Sequence, residues 1–263
     1  MTQPTASRGA PVSHGPASTW DRQSGRLNGA RLASTAVMLA FSCALAFVND
    51  LARVLAVLVA VDVAAMALPW RVPRAGRSMR SILLENLAYQ AMPLGALTAV
   101  LAAGPSWLGR AGSWWWYPIS ALVGTALVWI SGLDLRGVAS GELAFLMGPR
   151  PRAHAHAHTA AALIGPPGEE AMFRGPVLLA TGASSAVIST FAAAAFIARH
   201  HLPPRPSAPF RPRVLATELA ASLLLSGLVL ASRSLYPAVV AHLINNAPQA
   251  LLEVQRGRIG GER

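Results

Sequence analysis

The chain has 263 residues, of which 53% are hydrophobic and only 13% charged, with a mean hydropathy of +0.43. A soluble domain carries about 25% charged residues, so the composition excludes an ordinary soluble enzyme and points to an integral membrane protein. The net charge of +11 comes from arginine alone, without one lysine; no base-stacking or groove-reading motif accompanies it, which argues against a nucleic-acid partner and for basic loops that flank membrane spans.

Residues 1–30 are rich in Ser, Thr, Pro and Gly and read as a disordered cytoplasmic tail. The first apolar run begins late and is followed at once by another, unlike a secretory signal. Apolar stretches then recur at 32–48, 52–70, 82–103, 115–133, 159–181, 184–201, 214–232 and 235–254, each close to the length of about 20 residues that crosses a bilayer. The expected fold is therefore all-α: a polytopic membrane domain over 31–255 with about eight transmembrane helices, ending in a short cytoplasmic tail at 256–263. Cys43, the only cysteine, excludes an intrachain disulfide and is expected to be a small buried residue in the first stretch.

The arginines set the orientation. An even number of spans leaves both termini on one side. If that side is the cytoplasm, Arg71, Arg74, Arg77, Arg80, Arg136, Arg150, Arg152, the loop RHHLPPRPSAPFRPR and the tail arginines lie inside, and only Arg53, Arg110 and Arg233 lie outside, as the positive-inside bias requires. Trp114, Trp115, Trp116 and Tyr117 fall at an outer boundary, where aromatic rings anchor at the interface. AHAHAH, with His154, His156 and His158, is expected to be a solvated loop before the fifth stretch. Pro203, Pro204, Pro206, Pro209 and Pro212 make the next loop a connector, since proline breaks the helical ladder. Arginine-only basic residues with abundant alanine suggest a GC-rich bacterial genome.

Ionisable groups in mid-bilayer cost about 2.5–3.5 kcal/mol each on insertion scales, so those inside the stretches need a partner or a task. In GPPGEEAMFRG, Gly165–Pro166–Pro167–Gly168 interrupts the fifth stretch, and a helix is expected to start near Pro167 or Gly168. Glu170 and Arg174 then stand at i and i+4 with the acid first, the favourable order for a helical ion pair. Glu169, about 100° around the helix, has no such partner and suits a general base, against the alternative that all three form one structural network. His200 ends the sixth stretch. His242 and Asn246, at i and i+4, share one face of the last stretch and suit an oxyanion pocket or interhelical hydrogen bonding. Asp62, Glu85 and Glu218 stand singly and read as packing partners.

Taken together, EEAMFRG (Glu169–Gly175), FIARH (Phe196–His200) and HLINN (His242–Asn246) match the EExxxR, FxxxH and HxxxN motifs in order. The chain resembles the CAAX prenyl protease and bacteriocin-processing (CPBP) family of intramembrane endopeptidases over 115–254. The resemblance implies hydrolysis in an intramembrane chamber enclosed by the helices, acting on membrane-associated peptides or proteins, CAAX-type or otherwise lipid-anchored, in the lipid bilayer. It implies that Glu169 and His200 activate a water, that His242 and Asn246 hold the oxyanion, and that Glu170 and Arg174 support them. His201 is the alternative second-motif histidine. Arg199 departs from the family pattern, and the expectation is that it snorkels to the cytoplasmic headgroups. No cofactor is expected; a metal-dependent version would use Glu169, His200 and His242 to hold Zn²⁺, although no HExxH is present. The competing classes are a transporter with intramembrane proton-relay groups and a non-catalytic immunity or scaffold protein that keeps the motifs.

Overall fold

A computed structural model of the protein describes residues 29–67, 79–104, 113–180, 183–202 and 212–261. Among these residues all regular structure is helical: α1 (Gly29–Leu45), α2 (Asp50–Ala67), α3 (Met79–Ala102), α4 (Trp116–Ser131), α5 (Leu135–Ser140), α6 (Glu142–Met147), α7 (Arg152–Phe173), α8 (Gly175–Leu179), α9 (Ala183–His201), α10 (Pro212–Ser232) and α11 (Tyr236–Gly261). The expected tail at 1–30 and most of the Pro-rich connector lie outside the described residues. Pro212 opens α10, the position where its missing N–H costs nothing.

Each anticipated apolar stretch holds a helix, with three differences. The AHAHAH segment is not a loop but forms the first turns of α7. That helix also runs unbroken through Pro166 and Pro167. The last helix does not stop near 254. It continues to Gly261 because Arg256, buried, donates to the Gly148 carbonyl at 3.0 Å and pairs with Glu253, which also binds Arg150 at 2.8 Å. These contacts tie the end of α11 to the segment that leads into α7. The short helices α5 and α6 were not anticipated at all; the Asp134 carboxylate accepts from the Gly137 N–H and starts the first of them, as an N-cap does.

Helix α7 is central, packed between α3 and α11, while α11 also packs on α4, and α9 on α1. Two glycines permit the close approaches beside the polar residues. A Cβ on Gly168 would lie 2.8 Å from the Pro93 carbonyl carbon of α3, and one on Gly124 of α4 would lie 2.5 Å from the Ala241 carbonyl oxygen of α11. At the other end of the bundle Arg31, buried at the start of α1, donates to the carbonyls of Leu202, Met66 and Ala67. One guanidinium thereby caps the last turns of both α9 and α2, where helices leave carbonyls unsatisfied.

Large apolar side chains face outward on several helices: Val57, Leu101, Leu122, Trp129, Val187 and Leu223 are exposed. The interior instead holds Asp62, Glu169, Glu170, Arg174 and Arg199, all buried. Cys43 is exposed, contrary to expectation, because it turns away from the buried face of α1 formed by Met38, Phe41 and Leu45. Among the described residues one helix, Val214–Ser232, is long and apolar enough to cross a membrane; Arg31–Leu45, Tyr89–Ala102 and Trp116–Ser131 are shorter apolar helices. Trp114 and Trp115, both exposed, stack with ring centroids 4.3 Å apart ahead of α4.

Candidate active site

The polar residues of the three motifs meet inside the bundle. Glu169 and Glu170 come from the last turns of α7, Arg174 follows that helix directly, His200 ends α9, and His242 sits in the first half of α11. Phe196 is their common neighbour. The Arg174 guanidinium lies 4.1 Å from its ring centroid. The His200 ring centroid is 4.7 Å away and the His242 centroid 6.1 Å, while Phe173 packs edge-on at 5.8 Å. The aromatic residue of FxxxH is thus the surface on which the other two motifs are laid, with a cation held against its electron-rich face.

The two adjacent acids have different partners. Glu170 accepts from His242 Nδ1 at 2.8 Å, and Arg174 Nη1 reaches the same oxygen at 3.5 Å. A carboxylate on Nδ1 fixes the imidazole's rotation and leaves Nε2 facing the other way. That Nε2 lies 3.8 Å from Glu169 Oε2, too long for a hydrogen bond and short enough for one water beside the pair to touch both. Glu169 Oε1 accepts from Arg199 Nη1 at 3.0 Å. The expectation that Glu169 lacks a cationic partner is therefore corrected: its partner is not on its own helix, where i+4 reasoning looks, but on α9.

Arg199 is also corrected. It does not snorkel; it is fully buried, with Nε donating to Asp62 Oδ2 at 2.9 Å, Nη2 donating to the Tyr89 carbonyl, and its guanidinium 4.1 Å from the Tyr89 ring centroid. A fully desolvated guanidinium is held in place by two carboxylates, which an exposed headgroup contact would not require. Asp62 and Tyr89 belong to this network and were missed as site residues. Their signal was present as a lone acid in one apolar stretch and a lone arginine in another.

The neighbouring histidines have different partners. His201 Nε2 lies 2.8 Å from Glu218 Oε2 on α10, so both of those residues are engaged away from the acids. His200 donates from Nδ1 to the Phe196 carbonyl at 2.8 Å. A carbonyl can only accept, so in the neutral ring Nε2 carries the free lone pair. Asn246, one turn beyond His242, donates through Nδ2 to the Ala162 carbonyl at 3.1 Å. That carbonyl would have bonded to the N–H of residue 166, which is proline. Asn246 thus supplies the donor that Pro166 lacks, which offsets part of the cost of carrying α7 through the Gly-Pro-Pro-Gly segment. Glu85 lies in α3 with its side chain outside the description.

The charges nearly balance. Asp62, Glu169 and Glu170 face Arg174 and Arg199, so one proton on a carboxylate or histidine neutralises the cluster. Among the described residues no group of three or more His, Cys, Asp or Glu is arranged to hold a metal ion. Glu169, His200 and His242 form no such group, and Oε1 of Glu169 is already held by the Arg199 guanidinium.

Residues 153–248 match the family model described as type II CAAX prenyl endopeptidase Rce1-like. This segment holds all three motifs and bears out the resemblance to the CAAX prenyl protease family; it is narrower than the 115–254 expected and leaves α4 outside. No curated protein and no solved structure matches the chain.

Proposed function

We propose that the protein is a multi-pass intramembrane endopeptidase that cleaves membrane-associated substrates, either CAAX-type prenylated proteins or other lipid-anchored ones. The observation that carries this reading is the 3.8 Å gap between Glu169 Oε2 and His242 Nε2, buried under a match to a prenyl-endopeptidase family. A water at that gap attacks the scissile carbonyl carbon, giving a proton to Glu169, with His200 Nε2 as the second acceptor. As the C–O bond forms, the carbonyl electron pair moves onto oxygen, where the second N–H of Asn246 and the Nε2–H of a doubly protonated His242 stabilise it. Collapse then breaks the C–N bond, and the proton passes to the leaving amine. Glu170 and Arg174 hold His242 in rotation. The proton that moves is the water's own; the one proton that neutralises the cluster, carried on His242, lets Nε2 donate while Nδ1–H stays on Glu170. No metal is needed in this scheme.

About eight spans, with both termini in the cytoplasm, fit this reading. The helices that hold the site carry its polar residues and also turn large apolar side chains outward: Leu163 and Ile164 on α7, Val187 on α9 and Leu251 on α11.

The test is cleavage in proteoliposomes of a prenylated CAAX-type peptide and of unprenylated controls, with and without a strong chelator. Wild type should cleave in both conditions and Glu169→Gln in neither. Cleavage that disappears with chelator refutes the metal-free scheme; full activity of Glu169→Gln refutes the glutamate assignment.

A further inference from the structure

The geometry points to Arg199 as a positioning residue for Glu169, anchored by Asp62 and by a carbonyl that Pro93 sets free. This inference rests on the reading of Glu169 as the water-activating group. A glutamate on a mobile side chain has two equivalent oxygens, and either can face a substrate. Here they are not equivalent. Arg199 Nη1 holds Oε1 at 3.0 Å, so Oε2 alone is left facing His242 Nε2.

Arg199 can do this because each of its nitrogens is committed to a different helix. Nε holds Asp62 on α2, Nη1 holds Glu169 on α7, and Nη2 holds the Tyr89 carbonyl on α3, while the guanidinium lies over the Tyr89 ring. The Tyr89 carbonyl is open to a side chain because its helical donor would be the N–H of residue 93, and Pro93 lies inside α3. Pro93 also forms the surface against which Gly168 packs, directly before Glu169. A single proline therefore sets both the closeness of α3 to α7 and the third anchor of Arg199.

Asp62 has a distinct part. Its one paired oxygen meets Arg199, and its other, Oδ1, is buried with no hydrogen-bond partner among the described residues. Its hydrogen bond goes to Arg199, which in turn holds Glu169. Only a planar guanidinium spans three directions at once; a lysine ammonium supplies the charge without the fork. Arg199 also directly precedes His200, so one turn of α9 orients both Glu169 and the second acceptor of the water's proton.

The test compares Arg199→Gln, Arg199→Lys, Asp62→Asn and the Asp62→Asn/Arg199→Gln double variant in the proteoliposome assay. Alongside runs a thermal-unfolding cycle of Glu169→Gln and Arg199→Gln in detergent. Arg199→Gln should lose about 10²-fold in kcat, the cost of a misplaced catalytic group, with KM little changed. Arg199→Lys should recover part of that loss. Asp62→Asn should lose less than Arg199→Gln, and the double variant should be no worse than Arg199→Gln alone, as residues of one network behave. Unchanged kcat in Arg199→Gln overturns the inference. So does a loss in Arg199→Gln and Arg199→Lys that tracks only a fall in folded protein. If wild type cleaves no peptide, the proposed activity fails by itself, and the unfolding cycle still decides: absence of coupling between Glu169 and Arg199 overturns the clamp.

Discussion

Glu169→Gln and Glu170→Gln should separate catalysis from stability, although the residues are adjacent and the substitutions identical. Arg174 is fully buried, and among the described residues its ion pair is with Glu170. Neutralising Glu170 leaves that guanidinium a glutamine oxygen and the Phe196 ring but no paired carboxylate among the described residues. Breaking one side of a buried pair costs about 3–5 kcal/mol. The contact is long, at 3.5 Å, so the lower end applies, and about 3 kcal/mol corresponds to a fall in Tm of about 6–12 °C at this chain length. Neutralising Glu169 is milder. Arg199 keeps Asp62 at 2.9 Å, and a glutamine oxygen still accepts from it, so the loss is about 1 kcal/mol. The assay is thermal unfolding in one detergent, read by tryptophan fluorescence, with cleavage measured on the same preparations. Glu169→Gln should be inactive and nearly as stable as wild type; Glu170→Gln should be clearly less stable. Equal falls in Tm, or a larger fall for Glu169→Gln, would refute the separate pairing of the two acids.

Asn246→Ala should destabilise by about 1–3 kcal/mol, since it leaves the Ala162 carbonyl without a donor; adding Pro166→Ala should return much of that stability without returning cleavage, measured by the same unfolding and cleavage assays. Gly168→Val should cost at least about 1–3 kcal/mol in thermal unfolding, because its side chain meets the Pro93 backbone rather than a flexible group, and it should depress kcat through displacement of Glu169. Arg31→Ala should lower Tm with kcat per folded molecule little changed, because its contacts are the carbonyls that close α2 and α9; a selective loss of kcat would refute that assignment.

Helix positions were legible from the recurring apolar stretches, and the site was legible where its residues are neighbours along one helix. Glu170 with Arg174 follows from an i, i+4 spacing, and His242 with Asn246 from another. What the sequence could not give is partnership between helices. Arg199 lies 137 positions from Asp62 and 30 from Glu169, and no periodicity links them. The one available signal was charge: an arginine placed in an apolar stretch needs an acid, and Asp62 was one of three unassigned acids, with Glu85 and Glu218. The continuous α7 was illegible for a related reason. Gly165–Gly168 reads locally as a helix break, and the donor that removes the penalty at Ala162 comes from residue 246.

The two cases share one physical device. Pro93 and Pro166 each remove a helical N–H, which leaves the carbonyls of Tyr89 and Ala162 open. Each of those carbonyls is then taken by a polar side chain of the site, Arg199 in the first case and Asn246 in the second. In an apolar interior an unpaired carbonyl costs several kcal/mol and draws in any donor within reach. Proline therefore creates fixed acceptors at chosen depths on α3 and α7, and these hold side chains arriving from α9 and α11. A loop at membrane depth could supply such acceptors only where its own backbone is buried in protein or lines a water-filled cavity. The prolines beside the motif residues are thus part of how a helical bundle orients polar groups without leaving the helix.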